Sequence, residues 1–436
     1  MAKALYICYF GLRQPLVQTQ VLPYLRELLK DGHEITLLTF EPDFKDQWTA
    51  EQIAEEQKIL REQSIEWHCL PYHKRPSAIA TVYDVFRGAW FIRNSIDQKG
   101  IDILHGRVHV PTLMGAIARK FSRRKPKLLF DIRGFFPEEY TDAGIWPVNG
   151  ILYRSVKRIE KWLMKEADGF VVLTEKAREI LFPESATTPS GTTPSARSGV
   201  HPSSNQEGSY DKTGRPVEVI PCCVDFENRF AIDRDALRAK LRGELGIENR
   251  FVFVHAGALG GLYLTQQIAD FLQTARGRDP RTFALFLTQS DPNLIISLLK
   301  ERGFADSDYF VGKVSPAEIP DYLCAADAGL SFVKAGYATQ SRSPTKIPEY
   351  LACGLPIIAN CGVGDVDGLI ITNGVGVLVD DFSGESYPRT LNEVAALGDV
   401  GEKCRETAIR EFDLQNVGGN RYRRLYEKLR AENDGR

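Results

Sequence analysis

The stretch SRSPTKIPEYLACGLPIIAN, residues 341–360, is typical of a loop followed by a short helix and a buried strand. Pro344 and Pro348 place the start of the helix near Pro344 to Lys346, because proline is tolerated only in a first turn. Gly354 is suited to the end of the helix, and the apolar run behind it favours a parallel strand. The free N–H groups at the start of such a helix point toward the preceding loop, which favours phosphate binding there.

Two side chains of this helix are candidates for ligand binding. Lys346 adds a positive charge at the end that favours phosphate. Glu349 lies one turn further on, where its carboxylate could accept two hydrogen bonds from a cis-diol such as ribose. A first-turn glutamate that only interacts with the helix dipole is the alternative interpretation.

Composition sets the class of protein. A chain of 436 residues with 43% apolar residues is long enough for two domains with separate cores. The formal net charge of -2 gives no general argument for nucleic acid binding. The eight cysteines show neither metal-binding spacing nor the pattern of a small secreted protein, so we expect them to be reduced in the cytosol. No segment approaches the length of a membrane-spanning helix.

Short apolar runs alternate with helical patterns along the chain, which predicts an α/β fold with parallel sheets. The first series of predicted strands covers 4–9, 35–40, 67–70, 101–104, 128–132, 169–173 and 217–220. The second series covers 251–255, 283–287, 309–311, 328–332, 356–359 and 377–379. The segment 183–216 is rich in Ser, Thr, Pro and Gly and is predicted to be a mobile insertion. A last helix is predicted over about 414–432.

The run PTKIPEYLACGLPIIA resembles the nucleotide-sugar motif of the retaining glycosyltransferases of family four, in which a glutamate binds the ribose of the donor. Glu349 matches that glutamate. Many members have a second glutamate eight positions earlier, where this chain has Ser341. The runs QTQVLPYL and DIRGFFPEEY also resemble segments of a bacterial branch of the family.

The resemblance implies the GT-B fold: two doubly wound, Rossmann-like parallel-sheet domains that face a central cleft. It assigns residues 1–230 to an N-terminal acceptor domain that contains the insertion 183–216. Residues 231–411 then form a nucleotide-sugar domain, and 412–436 form a helix that returns to the first domain.

The expected donor site lies in the second domain. The small residues of HAGALGG, which follow a predicted strand, would let backbone N–H groups approach a diphosphate. Where family members have an Arg and a Lys, this chain has Ala258 and Thr265. Lys346, Arg342 and Arg133 are therefore the candidates for the positive charge, with Lys334 a weaker one. The predicted donor-binding residues are Gly257, Gly260, Gly261, Gly312, Val314, Arg342, Ser343, Thr345, Lys346 and Glu349.

Candidate residues in the first domain follow predicted strands, at the sheet edge where open α/β sheets bind ligands. The predicted acceptor-side residues are Gly11, Arg13, Arg107, Asp131 and Glu138. Arg133, Glu349, Lys346 and His105 are the candidates for catalysis. Structural roles remain open for this set: a simple turn at Gly11, a buried histidine at His105 and a solvated acidic loop around Glu138. No GxGxxG motif follows the first strand, which counts against a dinucleotide enzyme.

The resemblance implies transfer of a sugar from a nucleotide diphosphate sugar, UDP- or GDP-linked, with retention and with neither a metal nor a separate cofactor. A nucleotide-sugar epimerase or hydrolase and a non-catalytic sugar-nucleotide binding module are the alternatives. Two basic stretches, 119–127 and 154–165, favour an anionic membrane surface and a solvated helix face equally. A membrane location on the inner face of the cell membrane would favour a lipid-linked or envelope glycan acceptor; otherwise we expect a cytoplasmic protein.

Overall fold

A computed structural model describes residues 1–73, 75, 77–183, 186–187 and 209–434. The described residues divide into two compact units, of which 221–417 form the second and the others the first. The predicted domain limits, after 230 and 411, therefore differ from the observed limits after 220 and 417. The difference arises because Val224 bonds with the backbone of Phe412 and Leu414, and its side chain lies in the core of the second unit.

The sheet of the first unit has nine strands in the order β3-β2-β1-β4-β5-β6-β9-β8-β7. These strands are β1 Lys3–Ile7, β2 Glu34–Glu41, β3 Ile65–Pro71, β4 Ile103–Arg107, β5 Lys127–Ile132, β6 Gly169–Val172, β7 Ala186–Thr187, β8 Ser209–Tyr210 and β9 Pro216–Val219. The first seven in spatial order pair in parallel, and β7, β8 and β9 pair antiparallel. Six of these strands are almost entirely buried, as expected for parallel strands covered on both faces.

Helices connect the strands of the first unit. They are α1 Pro15–Gln20, α2 Leu22–Leu29, α3 Phe44–Gln47, α4 Ala50–Glu62, α5 Ser77–Lys99, α6 His109–Phe121, α7 Phe136–Asp142, α8 Ile151–Glu166 and α9 Glu175–Leu181. The inner sides of α5, α6 and α8 contribute to one apolar core with the sheet, for example through Ile92, Met114 and Leu163. None of the helices in the described part of the chain is both long enough and apolar enough to span a bilayer.

The second unit has a six-stranded parallel sheet in the order β12-β11-β10-β13-β14-β15. The strands are β10 Phe251–Ala256, β11 Thr282–Leu287, β12 Tyr309–Gly312, β13 Ala328–Ser331, β14 Ile357–Asn360 and β15 Gly376–Val379. The helices are α10 Arg234–Leu245, α11 Thr265–Arg278, α12 Asn293–Glu301, α13 Ile319–Cys324, α14 Lys346–Ala352, α15 Val366–Asn373, α16 Ser386–Ala396 and α17 Gly401–Phe412. The strand order reverses between β10 and β13, so the second sheet is doubly wound.

The predicted α14 begins at Lys346, and Gly354 follows its end in a left-handed conformation with φ of 71°. A π-helical segment, Leu414–Gly419, leads into α18, Asn420–Asp434, which belongs to the first unit. The prediction of two Rossmann-like domains is therefore confirmed. Most of the segment 183–216 lies outside the described residues, and so does the prediction that it is mobile.

Candidate functional site

The loop after β10 carries the three predicted glycines of the donor site. Gly257, Gly260 and Gly261 have φ angles of 128°, 74° and 62°, which residues other than glycine rarely adopt. The N–H of Gly257 donates to the carbonyl of Leu287, at 2.8 Å, and the N–H of Gly260 donates to the Thr265 hydroxyl, at 2.9 Å. These two N–H groups are therefore already bonded, and the three glycines act here through backbone conformation, with close packing only at Gly257.

The glycine loop leaves space for the side chain of Lys346, the first residue of α14. A Cβ atom added at Gly257 would lie 3.4 Å from the Lys346 Nζ atom. The same Nζ lies 4.7 Å from the centre of the Tyr263 ring. Within the described residues Lys346 forms no ion pair, although its residue is only 4% exposed. Burial lowers the pKa of Lys346 to about 7, although the charge of Glu349 acts in the opposite direction.

His255, the fifth residue of β10, is a titratable neighbour of this amine. Its Nε2 atom lies 3.5 Å from the Lys346 Nζ and 3.1 Å from the carbonyl oxygen of Ala258. Burial, and then the Lys346 charge, lower the pKa of His255 well below its usual value. His255 is therefore neutral near pH 7. No role was predicted for this histidine, although it stands in the run HAGALGG.

Glu349 pairs with a residue that the sequence did not single out. Its Oε1 accepts a hydrogen bond of 2.7 Å from the Nη1 of Arg229. The Nε of Arg229 also donates to the carbonyl of Pro316, at 3.0 Å. Arg229 and Glu349 are 120 residues apart in the chain, so no local pattern could indicate this pair.

The loop before α14 contains three more predicted donor residues. Ser343 accepts a hydrogen bond of 3.1 Å from the N–H of Cys222, Thr345 is exposed, and Arg342 is half-buried. Ser341, which stands where many family members have glutamate, is buried and donates to the carbonyl of Ala338, at 2.8 Å. The Ser341 hydroxyl therefore stabilises the conformation of the loop.

Gly312 and Val314, which the resemblance assigns to the nucleobase, lie at the end of β12 and just beyond it. The carbonyl of Gly312 accepts from the N–H of Thr288, at 3.0 Å, and that of Val314 accepts from the Gln289 side chain, at 3.2 Å. Both carbonyl groups thus have protein partners in this structure.

In the first unit, Asp131 and Arg133 form the centre of a buried polar cluster. The Nε of Arg133 donates to the Asp131 Oδ2, at 3.0 Å. Tyr422 of α18 donates to the same oxygen, at 3.0 Å, and accepts from the Nη2 of Arg133, at 2.6 Å. Burial alone would raise the pKa of Asp131, but the Arg133 charge and a bond with His105 hold it well below its usual range. Arg133 is thus paired inside its own unit rather than left as an unpaired positive charge for a diphosphate.

His105 and Arg107, at the end of β4, belong to the same cluster. The Nδ1 of His105 lies 2.9 Å from the Tyr426 hydroxyl, and its Nε2 lies 3.5 Å from the Asp131 carboxylate. Arg107 donates to the carbonyl of Gln20, at 3.3 Å. The structure brings the predicted residues His105, Arg107, Asp131 and Arg133 together, but their contacts favour the structural role that the sequence left open for His105.

The other three predicted acceptor-side residues also have partners within the first unit. A Cβ at Gly11 would lie 2.7 Å from the carboxylate of Glu41. That carboxylate accepts a hydrogen bond from the N–H of Leu12, the residue after Gly11. The guanidinium of Arg13 lies 3.9 Å above the Trp48 ring. Glu138 accepts from the Tyr153 hydroxyl, at 3.0 Å, and pairs with a lysine of α8. Glu41 is a buried carboxylate that the sequence did not indicate.

Known proteins agree with this architecture. Residues 17–184 match a family model described as a glycosyl transferase 4-like domain. No curated protein sequence matches the chain.

Three similar solved structures span both units. A glycosyltransferase from Rickettsia africae has 14% identity and a TM-score of 0.66, with 98% of each chain covered. Sucrose-phosphate synthase from Thermosynechococcus elongatus has 15% identity and a TM-score of 0.66, with 99% of this chain and 100% of that chain covered. Anabaena HepE in complex with UDP and glucose has 15% identity and a TM-score of 0.64, with the same coverage.

These identities are low and establish the fold, which is GT-B. The family model indicates the class of enzyme, because it matches most of the first unit to a glycosyl transferase 4-like domain. The chain is therefore an enzyme of the glycosyltransferase class.

Proposed function

We propose that this protein transfers a sugar from a nucleotide diphosphate sugar, UDP- or GDP-linked, to an acceptor hydroxyl. The transfer proceeds with retention at the anomeric carbon and without a metal or separate cofactor. The single observation that supports the proposal most is the buried amine of Lys346, which lies beside the glycine loop and forms no ion pair within the described residues. The complex of Anabaena HepE with UDP and glucose favours UDP as the nucleotide.

Charge explains why this amine suits a diphosphate. A buried cation without a counter-ion is unfavourable, and a bound anion removes that cost. The family positions usually occupied by Arg and Lys hold Ala258 and Thr265 here, so the loop itself adds no charge. Because the pKa of Lys346 lies near 7, a bound diphosphate would raise it and keep the amine protonated.

The reaction follows from these roles. Lys346 stabilises the charge that develops on the leaving diphosphate, and Glu349 holds the ribose through its carboxylate oxygens. The acceptor hydroxyl oxygen forms a bond to the anomeric carbon on the face from which the phosphate oxygen departs. The acceptor proton passes to that phosphate oxygen, so no protein base is required.

Two variants test the donor assignment. Glu349→Ala and Lys346→Met are expected to lose turnover of the nucleotide sugar by at least about a hundredfold, because each removes a contact with the donor. Glu248→Ala, at an exposed position of the same unit, serves as the control and should keep full activity. Full activity of Glu349→Ala would exclude the donor assignment. Retention is checked by the anomeric configuration of the product in NMR spectra, and metal independence by activity in EDTA.

The same assay separates the alternatives. Labelled donor incubated without an acceptor should stay unchanged. Interconversion or hydrolysis at a catalytic rate would identify an epimerase or hydrolase instead. Nucleotide-sugar binding without turnover, even with membrane extract as the source of acceptor, would identify a binding module.

We further propose that the acceptor is a lipid-linked or envelope glycan reached at the inner face of the cell membrane. The exposed residues Arg154, Arg158, Lys161 and Lys165 recur at helical spacing on one side of α8. Each basic residue near an anionic surface contributes about 1 kcal/mol of attraction. In the other basic stretch, Arg119 pairs with Asp168 and Lys127 is buried, while the residues between 120 and 125 are largely exposed. Binding to anionic vesicles that weakens as salt increases would support this location.

A further inference from the structure

The outer side of α5 is apolar although it faces solvent. Five large apolar side chains recur there at helical spacing, each between 55 and 71% exposed: Ile79, Val82, Tyr83, Phe86 and Trp90. The opposite side of the same helix, including Val85, Ile92 and Ile96, is buried in the core. A surface helix normally presents polar residues to water, so a helix that is apolar on both sides indicates an interaction surface.

Basic residues border this apolar stripe. The Nε of Arg93 on α5 donates to the carbonyl of Phe121, at 3.0 Å, and so ties the end of α6 to α5. Phe121 is itself 73% exposed, and exposed basic residues follow it up to Lys125. Lys120 lies 4.7 Å from the Trp162 ring, which connects α6 to α8 and its basic side. The apolar stripe therefore continues into a cationic surface on helices that share one core.

We propose that the outer side of α5 inserts into the headgroup region of an anionic lipid bilayer. A narrow apolar stripe with a Trp, flanked by Lys and Arg, is the pattern of helices that lie in the plane of a membrane. A second copy of the chain fits less well, because lysine is depleted in protein interfaces. The inference gives the membrane contact proposed above a specific inserted element, and it does not depend on the donor assignment.

Vesicle binding tests this surface. The protein is sedimented with vesicles of phosphatidylcholine alone and of phosphatidylcholine with about 30% phosphatidylglycerol, the latter mimicking an anionic membrane. The double variant Phe86→Ser, Trp90→Ser is expected to bind anionic vesicles at least about tenfold more weakly than the native chain. Ile371→Ser, at a position of the second unit that is 71% exposed, should bind like the native chain. Trp90 emission should shift to the blue on binding, and Trp90→Phe should remove that shift.

Three results would overturn the insertion. The first is the absence of binding to anionic vesicles. The second is salt-sensitive binding that the double variant retains in full, which would leave only electrostatic contact through α6 and α8. The third is a native dimer that the double variant converts to a monomer in sedimentation velocity, which would assign the stripe to a second copy.

A separate observation concerns Arg229, which bonds to two segments of the second unit. Its Nη1 donates to Glu349, at 2.7 Å, and its Nε donates to the carbonyl of Pro316, at 3.0 Å. The backbone N–H of Arg229 donates to the carbonyl of Asp225, which holds the start of the side chain in place. One planar guanidinium thus fixes the distance between the α14 carboxylate and the turn after β12, which a lysine amine cannot reproduce.

We infer that Arg229 is a positioning residue for the carboxylate that binds the ribose. This inference rests on the proposed donor role of Glu349. The bond from Arg229 to Oε1 sets the orientation in which the carboxylate meets the diol. A site built to bond a hydroxyl rejects the analogue that lacks it, so the effect of Arg229 should show in ribose selectivity.

The test compares UDP with 2′-deoxy-UDP by calorimetry in the full chain. The native protein is expected to prefer UDP by at least about tenfold. Arg229→Met should reduce that preference to about twofold or less, and Arg229→Lys should restore little of it. Arg238→Met serves as the matched control, since Arg238 bonds to the carbonyl of Ala326 elsewhere in the same unit. It should leave the preference unchanged.

The outcomes separate the two proposals. If Glu349→Ala loses the preference while Arg229→Met keeps it, Glu349 binds the ribose and the role of Arg229 is overturned. If the native chain binds UDP without any preference, the ribose assignment of Glu349 fails, and the inference about Arg229 fails with it.

Discussion

Lys346 shows how one buried side chain can be unfavourable for stability and useful for binding. Its amine has a neutral histidine, an aromatic ring and a glycine loop as its surroundings, and no carboxylate pairs with it within the described residues. Such an environment stabilises the neutral amine and lowers the pKa to about 7. A bound anion would instead stabilise the charged form of the amine and raise its pKa.

Lys346→Met is therefore expected to stabilise the ligand-free protein. Between pH 7 and the ordinary lysine pKa, the unfolded chain binds more protons than the folded chain, so native stability rises with pH. The variant lacks this dependence. Its advantage should be largest near pH 6, on the order of 2–4 kcal/mol, and should shrink toward pH 10. Thermal unfolding between pH 6 and 10 measures it.

The same variant should lose the rise in melting temperature that UDP gives the native protein. Native affinity for UDP should weaken as pH rises above 7, because the amine loses its proton. A variant that is less stable than the native chain at pH 6, or that still responds to UDP, would contradict this account.

Among the elements, α18 is attached to the first unit by hydrogen bonds between side chains. Tyr422 and Tyr426 bond with the buried groups of β4 and β5, so the helix completes the cluster around Asp131. The sequence pattern predicted the helix, and the family resemblance implied its return to the first domain. Neither could predict the cluster, because Asp131 and Tyr422 are 291 residues apart.

Tyr422→Phe is expected to destabilise the protein by about 1–3 kcal/mol, because it leaves Asp131 and Arg133 short of a partner. Asp131→Asn should cost more, about 3–5 kcal/mol, because two buried arginines lose their counter-charge. Tyr387→Phe is the control, since the Tyr387 hydroxyl is buried without a hydrogen-bond partner in the described structure. Urea unfolding measures all three. A loss of UDP affinity in Tyr422→Phe would instead indicate a role in the site.

The elements also show what a sequence can and cannot reveal. Every predicted strand exists, because buried parallel strands appear as short apolar runs. The helix α14 and its lysine were placed correctly, because prolines and a glycine mark its ends. The outer stripe of α5 was missed, because a helix that is apolar on both sides has no clear periodicity. Arg229 was missed because its partner is distant in the chain.

At the scale of the whole molecule, the predicted donor-binding residues all belong to the second unit. Hydrogen exchange with and without UDP tests this distribution. UDP should slow exchange in peptides that contain Gly257–Gly261 and Lys346–Tyr350, because a ligand suppresses local opening of its site. The sheet strands β1 to β6 should exchange at the same rate in both states. Protection confined to those strands would place the nucleotide in the first unit.

The return of the chain to the first unit has a consequence for biosynthesis. On the ribosome, domains generally fold in order as they emerge. Here the partners of His105 and Asp131 are the tyrosines of α18, which follow them in the chain by 321 and 291 residues. The strands β4 and β5 of the nascent polypeptide must therefore wait, with two arginines and a carboxylate incompletely paired, until α18 has been translated.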